Sequence, residues 1–279
     1  MRKNVLLSIA VLCSLAFSLK TDMTSSEAHK AFTDLILAIG DVKSLVFTIT
    51  NHERIDNEML SGTQRVSITS EPFQCHISMI NPGKGQELVY AGNTYEQQVV
   101  YEPNGFPYIQ LELDPFGSLM RNKNHHTIFF LGFKKMTDIM QFHMSQSPYS
   151  LKAEKINSNG KTYTKISIEF IDFNYKKIKV LKEESITSLS ERMALCDYMV
   201  AELNDLDLDD GLKKDSYLKV PSAYAKKFEI LVDPDSGLPH KMVALDEKGV
   251  YEQYEFMDLV INKAIPTNRF DAKMLGKKI

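Results

Sequence analysis

The chain has 279 residues, 43% of them hydrophobic and 25% charged, with a formal net charge of −3 and no tryptophan. This is ordinary globular composition, sufficient for one large domain or two modest ones. The acidic balance gives no reason to propose nucleic-acid binding, which would want a basic face, and any aromatic stacking falls to the 12 tyrosines and 15 phenylalanines.

The first 18 residues have the layout of a secretory signal. Arg2 and Lys3 form a positive start, Val5 to Phe17 is an apolar run too short for a comfortable membrane span, and Ala16-Phe17-Ser18 places small residues at −3 and −1 of a cleavage site. The mature chain is expected to begin near Leu19, in the periplasm, with no transmembrane segment. Cys13 opens a lipoprotein alternative, but Leu12 before it is larger than that peptidase takes, so an outer-membrane lipoprotein is the minor reading. Cys75 and Cys196 stand in apolar contexts and read as small buried side chains.

In the mature chain, Ala28, Ala31, Phe32, Leu35, Ile36 and Ile39 recur at helical spacing, which predicts a helix over 26–39 capped by Ser25 or Ser26 and ended by Gly40. The period then falls to two. Leu45 to Thr50 begins a strand that runs into His52-Glu53-Arg54, read as a solvated strand end. Further strands are predicted near 63–70, 73–80, 86–91, 97–101 and 107–113, separated by Ser61-Gly62, Asn81-Pro82-Gly83, Gly92-Asn93 and Pro103-Asn104-Gly105. Short strands with tight turns indicate an antiparallel meander. A polar loop follows, then a helix over 133–144, then strands at 150–157, 162–172, 175–181, 226–233, 239–246 and 250–261.

Residues 204–216, NDLDLDDGLKKDS, have the charge of a calcium loop but not its register. Counting from Asp205 puts Asp210 where the turn glycine belongs, and counting one later puts Leu206 at the first ligand position. The run is better read as a solvated loop. His125-His126 is the most conspicuous pair, but adjacent histidines on a regular element point apart, and a metal would need Asp114, His52, His76 or His143 to converge. The pair reads as a polar turn with one histidine packed or hydrogen-bonded. Phe116-Gly117-Ser118-Leu119-Met120 is half of a Gly-x-Ser-x-Gly elbow, and Asn81-Pro82-Gly83-Lys84-Gly85 suits a hairpin rather than a phosphate cradle. No catalytic residue, metal or cofactor is predicted, and the protein is read as non-enzymatic.

Four stretches, SLVFTITNHER, NPGKGQELVYAG, LDPFGSLMRNKNHHTIFFLGF and LVDPDSGLPHKMVALDEKGVYEQYEFMDLVINKAIP, give the chain a resemblance to an exported bacterial family with the fold of LolA/LolB-type periplasmic carriers. The resemblance implies an α+β fold: a strongly curved antiparallel sheet, a half-open barrel, with covering helices. It also implies a cavity for a lipid or lipoprotein acyl chain. The predicted walls are Phe32, Leu35, Phe47, Phe129, Met136, Met140 and Phe170, around roughly 300–1,000 Å³.

Residues 180–222 resemble an inserted LysM module, strand–helix–helix–strand. Val180, Ser185-Ile186, Leu189, Leu203-Asn204 and Leu218-Lys219-Val220-Pro221 match its landmarks, while Glu183-Glu184 and Lys214-Asp215 replace its usual loop residues. A second helix in it is expected to be capped by Asp197. The resemblance implies Ser185, Ile186, Asp209, Asp210 and Gly211 as glycan-contacting candidates, and anchoring to peptidoglycan or another envelope glycan as the alternative function. The large domain is then discontinuous, 19–179 and 223–279.

Overall fold

A computed structural model describes residues 20–106, 108–121, 124–158 and 160–277. The expected export signal, 1–18, lies outside them. In chain order the elements are β1 (Lys20–Asp22), α1 (Ser25–Gly40), β2 (Ser44–Ile55), β3 (Glu58–Ser70), β4 (Phe73–Asn81), β5 (Glu87–Tyr90), β6 (Val99–Glu102), β7 (Leu111–Leu113), α2 (Ser118–Arg121) and α3 (Lys134–Gln146). There follow β8 (Tyr149–Ser158), β9 (Lys161–Phe170), β10 (Tyr175–Lys179), α4 (Ile186–Met193), α5 (Asp197–Glu202), β11 (Tyr217–Pro221), β12 (Lys227–Val232), β13 (Pro239–Asp246) and β14 (Gly249–Ile261).

Among the described residues twelve strands form one antiparallel sheet, in the order β1-β8-β9-β12-β13-β14-β2-β3-β4-β5-β6-β7. Its end strands, β1 and β7, do not pair with each other, so the sheet is not closed into a barrel. Alternation builds its inner face. Leu45, Phe47 and Ile49 of β2 are buried, as are Val66 and Ile68 of β3 and Phe228 and Ile230 of β12, and all join one core with α1 and α3. From α1 come Ala28, Phe32, Leu35 and Ile39, the stripe that the helical spacing picks out.

Local chemistry corrects several boundaries. Thr24, not Ser25 or Ser26, caps α1: its hydroxyl accepts from Glu27 N while the Glu27 carboxylate accepts from Thr24 N, a reciprocal capping box. Ser61-Gly62 is no turn. The β2–β3 hairpin reverses at Asp56-Asn57, both at positive φ (52° and 64°), as a two-residue hairpin turn requires. Gly62 instead faces Asn51 across the ladder, where an added Cβ would fall 2.8 Å from Asn51 Oδ1.

The strand expected at 175–181 does not join the large sheet. β10 pairs with β11, Tyr175 opposite Pro221 through Lys179 opposite Tyr217, in a separate two-stranded sheet. The order β10-α4-α5-β11 is thus strand–helix–helix–strand, with its own core of Val180, Ile186, Leu189, Val200, Leu218 and Val220. Asn204 ties the end of α5 to β11: Nδ2 donates to the Val200 and Lys219 carbonyls and Oδ1 accepts from Lys219 N, at 2.7–2.8 Å.

Candidate functional site

The inner face of β2 changes character along its length. Leu45, Phe47 and Ile49 are apolar, and the next residue on that face but one, Glu53, is buried. β14 repeats the change: Phe256 is followed on its inner face by Tyr254 and Glu252, and the register sets Glu252 opposite Glu53 and Tyr254 opposite Asn51. Two carboxylates are thereby buried side by side, with Glu252 at 0% exposure. Such a pair repels itself and has lost its water, so it must be compensated by donors.

The loop before α3 supplies them. His125 donates its backbone N–H to Glu53 Oε2 at 2.9 Å, and its Nδ1 lies 3.0 Å from Glu252 Oε2. His126 Nε2 lies 3.0 Å from the same oxygen and 2.9 Å from the Tyr224 hydroxyl, which also donates to Glu252 Oε1 at 2.7 Å. The Tyr254 hydroxyl bridges the carboxylates, 2.7 Å from Glu53 and 3.1 Å from Glu252. Rings pack the cluster: His125 stacks on Tyr251 at 4.2 Å and His126 on Phe130 at 4.1 Å.

Burial alone would push His125 down, but the Glu252 hydrogen bond and the Glu53 and Glu252 charges outweigh it and hold its pKa above the ordinary imidazole value. Burial alone would raise Glu252, but the charges and hydrogen bonds of His126 and His125 hold it far below the carboxylate range. The strand end His52-Glu53-Arg54, expected to be solvated, is therefore largely interior. Arg54 is buried too, pairing with Asp246, donating to the Val250 carbonyl and lying over the Tyr251 ring at 5.4 Å.

A second ion pair fastens the α4–α5 unit to this loop. Arg121 clamps Asp197 with two bonds of 2.7 and 2.9 Å and donates to the His125 carbonyl. Asp197 is thus the first residue of α5, with Cys196 in the cap position, and its carboxylate faces Arg121 and Thr187. Among the described residues the two cysteines, Cys75 and Cys196, are buried and form no disulfide. Burial pushes the Cys75 thiol up to about 12 and the Cys196 thiol higher still, so neither is a nucleophile at neutral pH. Among the described residues no set of His, Cys, Asp and Glu side chains is arranged to hold a metal ion.

Three pockets meet along this loop. One of about 80 Å³ lies between it and α4–α5, lined by Arg121, His126, Thr127, Phe130, Ser190 and Asp197 among others. One of about 90 Å³ lies between it and the sheet, with Glu53, Asn51, Gln64 and Tyr254 at one end and Ile49, Met136, Met242 and Phe256 at the other. A third, of about 270 Å³, is walled by Ile39, Leu45, Ile68, Phe73, Phe129 and Gly132.

The expected cavity walls divide accordingly. Met136 and Phe129 each line one of these pockets, whereas Phe32, Leu35, Phe47, Met140 and Phe170 are packed in the core and line none of the three. Among the described residues Phe47, Phe133 and Phe256 close on one another at 4.7–6.4 Å, so this part of the inner face is packed core rather than cavity wall. Of the glycan candidates, Ser185 is spent as the α4 cap, accepting from Ser188 N, and Ile186 is interior. Asp209 and Asp210 border an open cleft of about 680 Å³ shared with Asp56, Glu202 and Asp207, and Gly211 is exposed. Glu252, Tyr224, Tyr254, Arg121 and Asp197 escape the sequence reading as site residues. The signal for Glu252 and Tyr254 was present, as polar groups continuing the alternation of an inward-facing strand.

Fold and site define a class: an open, wide antiparallel sheet with a helix-covered inner face, its apolar core ending in a buried polar cluster that pins a pocket-lined loop. The chain belongs to the DUF1571 family of proteins of unknown function, whose model matches residues 42–187, from the turn before β2 into α4. No curated protein matches the chain. Solved structures give partial likenesses. The MucA/MucB complex of Pseudomonas aeruginosa aligns at 14% identity over 88% of this chain and 60% of that one, with a TM-score of 0.43. The Mycobacterium tuberculosis lipoprotein LppX aligns at 11% over 87% and 98%, TM-score 0.42. A LolA superfamily protein from Nitrosomonas europaea aligns at 8% over 86% and 96%, TM-score 0.31. The chain spans less than two thirds of the MucB chain.

Proposed function

We propose that the protein is a non-enzymatic, exported binding protein for an acyl chain, held along the inner face of the sheet under the stretch 127–133. The observation that carries this is the sharing of pocket walls. His126, Thr127 and Phe130 border both small pockets, while Leu131 and Gly132 border the sheet-side pocket and the larger one. Each pocket alone is below the usual ligand range of roughly 300–1,000 Å³. Displacing this one stretch would join them into a groove within that range, polar at the Glu53 end and apolar at the Phe73 end. Gly132, at φ +90°, is a backbone position where the stretch can pivot.

Curvature of the sheet supports the same reading. α1 contacts β8 and β9 near one end of the sheet, and its Ile39 shares a pocket with Phe73 of β4. Seven strand spacings separate β8 from β4, about 34 Å if the sheet were flat, while a 16-residue helix is only about 24 Å long. A half-barrel wrapped over α1 accounts for that reach. We read 180–222 as a LysM-like insert that serves as a side wall, since its Ser185 and Ile186 are committed to its own fold.

Organic extraction of the purified protein followed by mass spectrometry tests the proposal. Acyl species in near-stoichiometric amount are expected, with uptake of a fluorescent fatty acid by the stripped protein. No acyl species, no uptake and retention on peptidoglycan would overturn it in favour of the glycan reading.

A further inference from the structure

At the polar end of the sheet-side pocket stand two carboxamides, Asn51 and Gln64, both half-buried. Among the described residues neither side chain has a hydrogen-bond partner. The register sets them side by side. Gln64 is opposite Ile49 and Asn51 is opposite Gly62, so they share one face of neighbouring strands as a diagonal pair, with Cβ atoms about 7 Å apart. Gly62 has no side chain to come between them. Asn51 lies over it, with Oδ1 2.8 Å from where a Cβ would be, which turns the carboxamide toward β3.

The charged groups beside them are already matched. Glu53 accepts from the His125 backbone at one oxygen and from the Tyr254 hydroxyl at the other, and His126 turns Nε2 to Glu252. The lining holds no lysine or arginine. A carboxylate or phosphate head would meet Glu53 with no cation to hold it. An ammonium head would meet a carboxylate whose two oxygens are both engaged. What stands open is neutral: each carboxamide presents N–H donors and a carbonyl acceptor. A ligand head that enters displaces water from these groups and must replace both kinds of bond. About 90 Å³ is room for a head and a few carbons, and the other end of the pocket, at Ile49, Met136, Met242 and Phe256, is apolar.

We propose that this pocket takes the head of a fatty chain that is uncharged and both donates and accepts hydrogen bonds, an amide or a hydroxyl. Asn51 and Gln64 bind the head, and the first carbons of the chain lie against Met136 and Phe256. An ester, which only accepts, and an ionised acid are the poorer ligands. The inference rests on the acyl-binding reading above and specifies the head group that reading leaves open.

The test uses the full mature protein and probes of matched chain length: dodecanamide, dodecanol, methyl dodecanoate, dodecanoic acid and dodecylamine. Each competes with a fluorescent acyl reporter at neutral pH. The amide or the alcohol is expected to compete about tenfold more strongly than the ester, the acid and the amine, and whichever leads identifies the head. Gln64→Met keeps the volume and is expected to weaken the leading probe about five- to tenfold while leaving the ester unchanged. Because the Gln64 carboxamide has no bond to lose, this variant should melt no lower than wild type. Asn51→Ala should act in the same direction and replaces Gln64→Met if that variant fails to fold. Tightest binding by the ester, the acid or the amine, equal competition by all the probes, or equal weakening of the leading probe and the ester by the variants each overturns the neutral head site while leaving acyl binding intact. Failure of the reporter and every probe to bind wild type overturns both.

Discussion

Replacing Glu252 by glutamine keeps the shape of the buried cluster and removes its central charge. The carboxylate accepts from Tyr224 at Oε1 and from His125, His126 and Tyr254 at Oε2, over 2.7–3.1 Å. With the amide nitrogen turned toward Tyr224, whose hydroxyl can accept as well as donate, the other three bonds still find a carbonyl oxygen. What remains lost is the charge facing the His125 imidazolium, which is 0% exposed. Stranding one member of a buried ion pair costs about 3–5 kcal/mol. Imidazole can escape by giving up its proton, so the expected loss is about 3 kcal/mol, the low end. The pH dependence follows from the direction of the His125 shift. Its folded pKa is raised, so the stabilisation is complete below the ordinary imidazole value and disappears as pH rises through the folded value. Glu252, held low, stays ionised throughout that range. Urea unfolding followed by circular dichroism, at about pH 6 and about pH 9, measures both effects. A deficit below about 1 kcal/mol at the acidic end, or one that does not shrink at the alkaline end, refutes this account of the cluster.

Three further outcomes are expected. Met140→Asp should prevent folding, since Met140 is 1% exposed in packed core, whereas Met136→Asp, on a pocket wall, should fold and lose acyl uptake; soluble yield and probe titration compare them. Gly132→Ala should lower stability by about 1–3 kcal/mol, because φ is +90° and the new Cβ would meet Ile68 Cδ1 at 3.1 Å, and an unchanged melting temperature would contradict it. Asn204→Ala removes two hydrogen bonds joining the end of α5 to Lys219 of β11 and one to the Val200 carbonyl of α5 itself, and should cost about 1–3 kcal/mol. Hydrogen exchange should then show amides of 175–221 opening ahead of the large sheet, and uniform loss of protection would count against a separately ordered unit.

The sequence by itself determined what depends on neighbours a few residues away. The stripe Ala28, Phe32, Leu35 and Ile39 is the buried face of α1, the alternation Leu45, Phe47, Ile49 is the inner face of β2, and the two helices and closing strand expected within 180–222 are present, although the first strand of that unit is Tyr175–Lys179, which the sequence reading assigns to the large sheet. Periodicity and capping are local, so they survive without knowledge of the fold. Even there, Ser61-Gly62 misled, because a glycine demanded by close approach to Asn51 on the next strand looks like one demanded by a turn. Only the tertiary structure decided the site. His125 and Glu252 are 127 positions apart, and Arg121 and Asp197 are 76 apart. Whether Glu53 ends a solvated strand or sits beside a second carboxylate depends on which strand lies opposite and which loop covers both. A charged side chain is cheap in water and costly when dry, and its own stretch of sequence does not say which surroundings it will have. The same holds for the cavity: the apolar residues of the inner face were legible as a set, but only packing distributed them between solid core at Phe47 and Met140 and pocket wall at Phe129 and Met136.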